Sequence, residues 1–383
     1  AAPNRRGPGP GGNVGGPEVP AGGGTGAAVG AASVEFPADP AAAPLGTPSA
    51  RPVRRPRHPP RLAFSTLACP QWSLARVISA AREYGYQGVE IRLLAGEVDL
   101  LACPELSPAR RRETRQLFAD QGVSVCGLAS SVRFDHESHS DLMRELDVGR
   151  RYLELAADLG AGFVRIFGDK LPSLDNLRER DLRVTKIASY IEVLADFAHR
   201  QAGGARLLVE THGDFVESEW MTRLVRRVGS PALGVLWDTH HPWRFAGEPL
   251  AETTRRLGAW VGHTHWKDSP GTPVPPAVVQ GAVGGQGGAS GTPGASPSAV
   301  ERMAQLAGTL MSGHRPASYC LFGEGEFPVI DCLRELSAIG YNGWYSLEWE
   351  KAWHPELADP ELALPQFPPR FLALWQAAFE RTP

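Results

Sequence analysis

Short apolar segments alternate with amphipathic segments along the chain from about residue 61 to its end. The short segments, such as GVEIRLL and LGVLWD, are rich in Val, Ile and Leu, as expected of strands buried on both faces. The longer segments between them repeat apolar residues at i, i+3 and i+4, which predicts helices. The predicted strands are 62–68, 88–94, 123–129, 162–168, 207–212, 233–238, 260–265 and 343–349. The predicted helices are 73–85, 107–122, 141–160, about 183–201, about 218–228, about 250–258, 327–340 and 371–380.

Turn signals between these elements predict how they connect. Gly85 closes the first predicted helix, and Ser107 and Pro108 predict the N-cap and first residue of the second. Three helix ends share similar wording, in which a glycine precedes a two- or three-residue turn: EYGYQGVEI, DLGAGFVRI and AIGYNGWYSL. Repeated units of this kind predict the α/β class, with parallel strands closed into a (β/α)₈ TIM barrel. A doubly wound open sheet, the alternative, is expected to follow its first strand with a Gly-rich loop, where this chain has CPQWS.

Two segments depart from the alternating pattern. Residues 1–60 are rich in Gly and Pro, lack periodic apolar positions and contain no apolar run typical of a secretory signal, so we expect a disordered tail. Residues 269–300 contain no charged side chain and are rich in Gly, Pro, Ala and Ser, which predicts a flexible loop insertion. The predicted domain is therefore a barrel over 61–383, interrupted at about 269–300.

Composition narrows the classes of partner and compartment. The net charge of -3 gives no electrostatic reason to expect a nucleic acid partner. The chain has no run of about 18 apolar residues, so we expect no membrane partner. Five scattered cysteines without a C-x-x-C pair predict free thiols and a reducing, cytoplasmic location.

Four predicted strands end in a potential metal ligand: Glu210, Asp238, His265 and Glu348. The carboxyl ends of barrel strands meet on one face, where TIM-barrel active sites lie. Three carboxylates and one histidine suit a hard-to-borderline divalent cation. The alternative for Glu210 is a structural carboxylate paired with an arginine inside the barrel mouth.

Further polar residues lie near these four positions. His241 follows Asp238 by three residues, and we predict that His241 and His212 contact a substrate. Lys267 follows His265 and is a candidate to neutralise an anionic group on a substrate or intermediate. His263 alternates with His265 on the same strand face, at a deeper level of the barrel.

Glu90 ends the second predicted strand and has two possible roles. It binds a substrate hydroxyl, or it forms an ion pair with Arg92 or Arg165. An inward-facing Arg165 needs an acidic partner in any case. Glu350 shares a strand face with Glu348 and is expected to pair with the neighbouring lysine, residue 351.

Taken in order, these segments resemble the xylose-isomerase-like barrel superfamily, and in particular its sugar phosphate isomerase/epimerase branch. The resemblance extends from about residue 61 to the C-terminus, without the insertion. The segments that carry it are RLAFSTLACP, GYQGVEIR, VETHGDF, WDTHHPW, HTHWKD, GEGEFP and SLEWEKAWHPEL.

The resemblance implies an enzyme of carbohydrate metabolism that holds one divalent cation through Glu210, Asp238, His265 and Glu348. Manganese, magnesium or cobalt is typical of the family, and zinc is a further candidate. The resemblance also implies that Glu210 and Glu348 move a proton next to the carbonyl of a small polyol or keto-sugar through an enediolate, which isomerises or epimerises it. His241 would contact this substrate, and the protein would form a homodimer.

The sequence also bears on the subtype and on alternatives to this function. The family's ketose 3-epimerases carry an arginine shortly after the metal histidine, where this chain has Trp, Lys and Asp after His265. That difference counts against the ketose 3-epimerase subtype. Separately, the alternatives are an inosose-dehydratase-like hydro-lyase, in which the same enolate expels a β-hydroxyl, and a non-catalytic sugar-binding barrel. The three-zinc apurinic endonucleases need histidines at the ends of the second and third strands, where this chain has Glu90 and GLASS.

Overall fold

Eight parallel strands form a closed barrel in sequence order, with β1 paired to β8, as the alternating pattern predicts. The computed structural model describes residues 56, 58–201, 204–270 and 317–380. Most of the predicted tail and insertion lies outside the described residues. The strands are β1 Arg61–Ser65, β2 Gly88–Ile91, β3 Ser124–Arg133, β4 Phe163–Phe167, β5 Arg206–Glu210, β6 Leu233–Asp238, β7 Val261–Trp266 and β8 Trp344–Leu347.

Eight α-helices surround the barrel within the described part of the chain. They are α1 Leu74–Tyr84, α2 Arg111–Asp120, α3 His139–Leu159, α4 Leu177–Arg200, α5 Ser218–Val228, α6 Leu250–Leu257, α7 Val329–Ala338 and α8 Pro360–Phe379. Among the described residues, none of these helices combines the length and the apolar character that crossing a membrane requires.

The first two helices differ in how well their ends are predicted. Gly85 ends α1 in the left-handed conformation, with φ of 84°, as predicted. The prediction of Ser107 as the N-cap of α2 is wrong, because α2 begins at Arg111. A single helical turn over 104–106 precedes it, and the Ser107 hydroxyl donates a hydrogen bond back to the Pro104 carbonyl at 2.7 Å. That hydroxyl caps the earlier turn.

The last helix begins well before its predicted start at residue 371. α8 contains Pro365, Pro368 and Pro369, and proline inside a helix removes a hydrogen bond and clashes with the preceding turn. Burial outweighs this cost. The Phe371 ring lies 5.2 Å from Tyr345 of β8 and 5.3 Å from Trp266 of β7, measured between ring centroids.

The interior of the barrel changes from apolar to polar along its axis. Phe163, Leu208 and Leu236 form a small apolar cluster inside it. Side chains two residues apart share a strand face, so the next inward positions on the same strands place Arg165, Glu210 and Asp238 toward the carboxyl ends. The charged residues therefore lie above an apolar floor.

Candidate metal centre

Four side chains from four consecutive strands meet at the carboxyl end of the barrel. Glu210 ends β5, Asp238 ends β6, His265 lies one residue before the end of β7, and Glu348 directly follows β8. One ligand atom from each lies within 4.8 Å of every other, and all four residues are buried. Because the strands are adjacent and parallel, the four predicted ligands share one point. This oxygen-rich set fits a divalent cation.

His265 lies between two groups of carboxylates. Its Nδ1 is 3.2 Å from both Glu210 Oε1 and Glu348 Oε2, and its Nε2 is 2.8 Å from Glu90 Oε2. Burial alone would lower the pKa of His265, but Glu348, Glu90 and Glu210 raise it well above its usual value. If Nε2–H donates to Glu90, the lone pair of Nδ1 points at the other carboxylates. A cation bound by this lone pair would take the place of the proton that His265 Nδ1 carries when the imidazole is charged.

Glu90 contacts histidines rather than an arginine among the described residues, so the predicted ion pair with Arg92 or Arg165 is wrong. The fully buried Glu90 carboxylate has Oε2 3.0 Å from His263 Nε2 in addition to its contact with His265. Burial would raise the pKa of Glu90, and the two histidines hold it below its usual range instead. A carboxylate behind a metal histidine fixes its ring orientation and tautomer. A substrate contact for Glu90 stays a prediction.

Arg165 finds the acidic partner that its inward position requires. Its Nη1 lies 2.5 Å from Glu210 Oε2, and its guanidinium carbon lies 4.0 Å from the centre of the Phe167 ring. Burial and the Glu348 charge raise the pKa of Glu210, but Arg165 and His265 together lower it by more, so the net shift is downward. The pairing expected of a structural Glu210 is therefore present, while Glu210 Oε1 faces His265.

Lys267 is buried against the same carboxylates. Its Nζ lies 2.8 Å from Asp238 Oδ2, 2.7 Å from Glu348 Oε2 and 2.5 Å from Glu350 Oε1. Burial would lower the pKa of Lys267, but these three carboxylates raise it well above its usual value, so the side chain is an ammonium. The predicted pairing of Glu350 with Lys351 is wrong, because the Lys351 side chain turns to Asp359 at 3.0 Å.

His241 presents a neutral nitrogen to this group. Its Nδ1 lies 2.9 Å from the Thr211 carbonyl, which only accepts, so Nδ1 carries the proton. Its Nε2 is 3.3 Å from Asp238 Oδ2 and 3.3 Å from Lys267 Nζ. Burial and the Lys267 charge lower the pKa of His241 well below its usual value.

His212 lies at the edge of the same group, 5.8 Å from the His241 ring. Its Nδ1 is 2.6 Å from Asp169 Oδ1, a partner that the sequence did not indicate. Burial would lower the pKa of His212, but Asp169 raises it overall. Asp169 has a positive φ of 55°, a conformation that Asp tolerates better than most residues. Its place just after the apolar strand β4 is the signal that could have revealed it.

Asp268 anchors the chain that returns after the undescribed residues 271–316. Its two carboxylate oxygens accept hydrogen bonds from the backbone amides of Ser269, Gly323, Gly325 and Phe327. This places the Phe327 ring 5.5 Å from Trp243 and 6.2 Å from His240. The GEGEFP segment is therefore a wall beside the centre, a role that its sequence alone did not reveal. Ser269, where the predicted insertion begins, is itself fully buried.

The charges in this region favour a divalent cation. Five buried carboxylates face three buried cationic side chains, which leaves two negative charges once His265 has released its proton, as a metal ligand must. The carboxylates are Glu90, Glu210, Asp238, Glu348 and Glu350, and the cations are Arg92, Arg165 and Lys267. The excess also affects Asp238, because burial together with the charges of Glu348 and Glu210 raises its pKa to about 6 despite the nearby Lys267. Buried like charges are unfavourable unless a cation neutralises them.

Solved structures with the same fold include several sugar enzymes. L-ribulose 3-epimerase superimposes with a TM-score of 0.58 at 15% identity, covering 84% of this chain and 96% of that one. The probable 3-DHS dehydratase AsbF, involved in petrobactin synthesis in Bacillus anthracis, gives 0.57 at 17%, covering 84% and 99%. The IOLI protein with a bound zinc atom gives 0.58 at 14%, covering 84% and 100%. At these identities the likeness shows the fold alone.

Sequence comparison assigns the family. No curated protein matches the chain. The family model described as the xylose isomerase-like TIM barrel matches residues 78–366, which include seven of the eight strands and the four candidate ligands. The chain therefore belongs to the xylose isomerase-like TIM barrel family.

Proposed function

We propose that this protein is a divalent-metal-dependent enzyme that isomerises or epimerises a small keto-sugar or carbonyl-bearing polyol, with or without a phosphate. The observation that carries the proposal is the buried group of Glu210, Asp238, His265 and Glu348, whose ligand atoms lie within 4.8 Å of one another. Manganese, magnesium and cobalt suit this oxygen-rich set, and zinc also accepts it.

Glu210 and Glu348 are the proposed proton carriers. A divalent cation in this group would polarise a substrate carbonyl and make the neighbouring C–H more acidic. Burial alone would raise the pKa of both carboxyls, but Arg165 lowers that of Glu210, and His265 and Lys267 lower that of Glu348. Both glutamates are then ionised at neutral pH, as a general base requires.

The surrounding residues divide the remaining tasks. One glutamate removes the proton, and the negative charge of the enediolate develops beside the Lys267 ammonium, which stabilises it. The other glutamate returns a proton, either to a different carbon, which isomerises the sugar, or to the opposite face, which epimerises it. His241 and His212 border the same group and are the proposed contacts for substrate hydroxyls.

Solvent deuterium exchange tests the proton carriers. A screen of ketoses, inososes and hydroxypyruvate identifies a substrate, and Glu210→Gln and Glu348→Gln are then compared with the wild type in D₂O. General-base catalysis contributes roughly 10²–10⁴-fold, so we expect exchange to slow by at least about 100-fold. Glu350→Gln is the matched control, because Glu350 is buried beside Lys267 but lies outside the ligand group. Wild-type exchange in both variants would contradict the assignment.

A hydro-lyase is the second candidate, and Lys267 is the observation that favours it. Its ammonium touches both Asp238 and Glu348, so a proton donor lies beside the proposed base. A donor in this position protonates a departing β-hydroxyl after the adjacent C–H is lost. The product of such a reaction is lighter than the substrate by one water, which mass spectrometry distinguishes from an isomer.

The cytoplasmic location and the homodimer stay predictions. All five cysteines are free thiols, and four are buried, which supports a reducing compartment. A non-catalytic sugar-binding barrel would have no need of a stoichiometric divalent cation, so metal analysis separates it from the enzyme.

A further inference from the structure

A buried arginine with an incomplete set of partners lies in the mouth of the barrel. Arg92 directly follows β2 and is 2% exposed. Its backbone amide donates to Thr66 Oγ1 at 2.8 Å, which fixes the start of the side chain. Arg92 follows Glu90 by two residues, so its side chain starts on the same face of the strand, nearer the carboxyl end.

The guanidinium of Arg92 makes only neutral contacts among the described residues. Its Nη2 donates to Ser131 Oγ at 2.9 Å, and its Cζ lies 5.6 Å from the centre of the Trp353 ring. Its Nη1 is buried without a hydrogen-bond partner. Leaving such a donor unsatisfied costs free energy, more so when the group is charged.

The other two cations of this mouth are already paired. Arg165 contacts the Glu210 carboxylate, and the Lys267 ammonium contacts three carboxylates. Arg92 alone of the three lacks a carboxylate within salt-bridge distance in the described part of the chain. Burial and the nearby Arg165 lower its pKa to about 10, so it stays positively charged at neutral pH.

The position of Arg92 connects it to the candidate metal centre. Glu90, which starts on the same strand face two residues earlier, contacts the candidate ligand His265, so Arg92 lies in the same mouth as the ligand group. Ser131 and Trp353, which flank its guanidinium, are both half-buried, so this edge of the mouth is partly open. A ligand entering there meets a charged donor that no protein carboxylate satisfies.

We propose that Arg92 binds an anionic group, a carboxylate or a phosphate, at the end of the substrate remote from its reacting carbonyl. This inference rests on the proposed function and adds the class of substrate: an anionic keto-sugar or carbonyl-bearing polyol. A guanidinium presents paired N–H donors whose geometry matches a carboxylate or a phosphate. A buried arginine with a purely structural role and no acidic partner has no need of this paired geometry.

Three matched keto-sugars test the proposal. D-tagatose, D-tagaturonate and D-tagatose 6-phosphate differ only at carbon 6, which is a hydroxymethyl, a carboxylate or a phosphate ester. Binding to metal-loaded wild type is measured by calorimetry. Because hydrogen bonds to a charged group are stronger than those between neutral groups, we expect one or both anionic sugars to bind roughly 10- to 100-fold more tightly than D-tagatose. Which one gains affinity separates a carboxylate from a phosphate.

Variants assign any preference to the guanidinium. In Arg92→Gln we expect the advantage of the anionic sugars to disappear while the affinity for D-tagatose changes little. Arg92→Lys keeps the charge without the paired donors and should retain part of the preference, and it also serves if the glutamine variant fails to fold. Arg180→Gln is the control, because Arg180 is equally buried but pairs with the Pro172 carbonyl and lies on α4.

Failure of the anion site and failure of the proposed function would give different results. Equal affinities of wild type for the three sugars, or no binding of any of them, would overturn the anion site. So would an anion preference that survives in Arg92→Gln. A wild-type protein that takes up no divalent cation would instead refute the proposed function.

Discussion

Replacing Asp268 with asparagine should weaken the attachment of the GEGEFP segment beside the candidate metal centre and so destabilise the protein. Asp268 Oδ1 accepts the amides of Ser269 and Phe327 at 2.8 and 3.1 Å, and Oδ2 accepts those of Gly323 and Gly325 at 2.9 and 3.1 Å. Asparagine keeps one of the two oxygens and turns an NH₂ group toward the other pair of donors. With about 1.5–3 kcal/mol for each hydrogen bond to a charged group, the loss of two predicts about 3–6 kcal/mol of destabilisation.

The assay is denaturant unfolding followed by tryptophan fluorescence, with Asp331→Asn as the matched control. Asp331 has a 68% exposed side chain and a surface ion pair to Arg334 at 3.4 Å, and such pairs contribute at most about 1 kcal/mol. We expect the Asp268 variant to unfold at a clearly lower denaturant concentration than the control. Equal midpoints for the two variants would refute the reasoning that the buried carboxylate holds this segment.

Three further outcomes are expected. Glu90→Gln should weaken divalent metal binding by roughly 10- to 100-fold in calorimetry without unfolding the protein, because Glu90 orients His265; unchanged affinity would contradict this. Metal affinity should fall as the pH drops through about 6 and below, because the proton that Asp238 then binds competes with the metal. His265, whose pKa is raised, should extend the competition between proton and metal to higher pH. A metal affinity that does not change with pH would exclude both residues as ligands. Gly325→Ala should lower the free energy of unfolding, because the new Cβ would lie 2.1 Å from Asp268 Oδ1. This destabilisation should be smaller when Asp268 is already alanine. If the effects of the two substitutions on stability simply added, the clash would be refuted.

The strands and the four candidate ligands were predictable because each follows from one local rule. A buried parallel strand is expected to be apolar, so a carboxylate or imidazole at its carboxyl end stands out in the sequence. Barrel closure then brings consecutive strand ends together without any knowledge of side-chain conformation. Glu210, Asp238, His265 and Glu348 all satisfy both conditions.

The contacts across the barrel were not predictable from the sequence. Glu90 on β2 meets His263 and His265 on β7, a strand that is not its neighbour, and sequence spacing carries no information on which residues meet across the interior. The same limit hid the contact of Lys267 with Glu350, since the adjacent Lys351 looked like the nearer partner.

The start of α8 was predicted too late, because tertiary packing overrides the local signal of its prolines. The prolines of α8 argue against a helix there, yet its aromatic residues bury against β7 and β8.

The role of Asp268 was also not predictable, because in the sequence it is one more acidic residue in a loop. Its role depends on the amides of 323–327, which return beside it more than 50 residues later.

Metal stoichiometry tests the central claim most directly. The purified protein is supplied with Mn²⁺, Mg²⁺, Co²⁺ or Zn²⁺, dialysed and analysed for metal content, alongside Asp238→Asn and the buried non-ligand control Glu350→Gln. We predict about one equivalent of a divalent cation per chain in the wild type and the control, and a large loss in the ligand variant. Metal content far below one equivalent in the wild type with every ion, or equal retention in all three proteins, would contradict the metal centre.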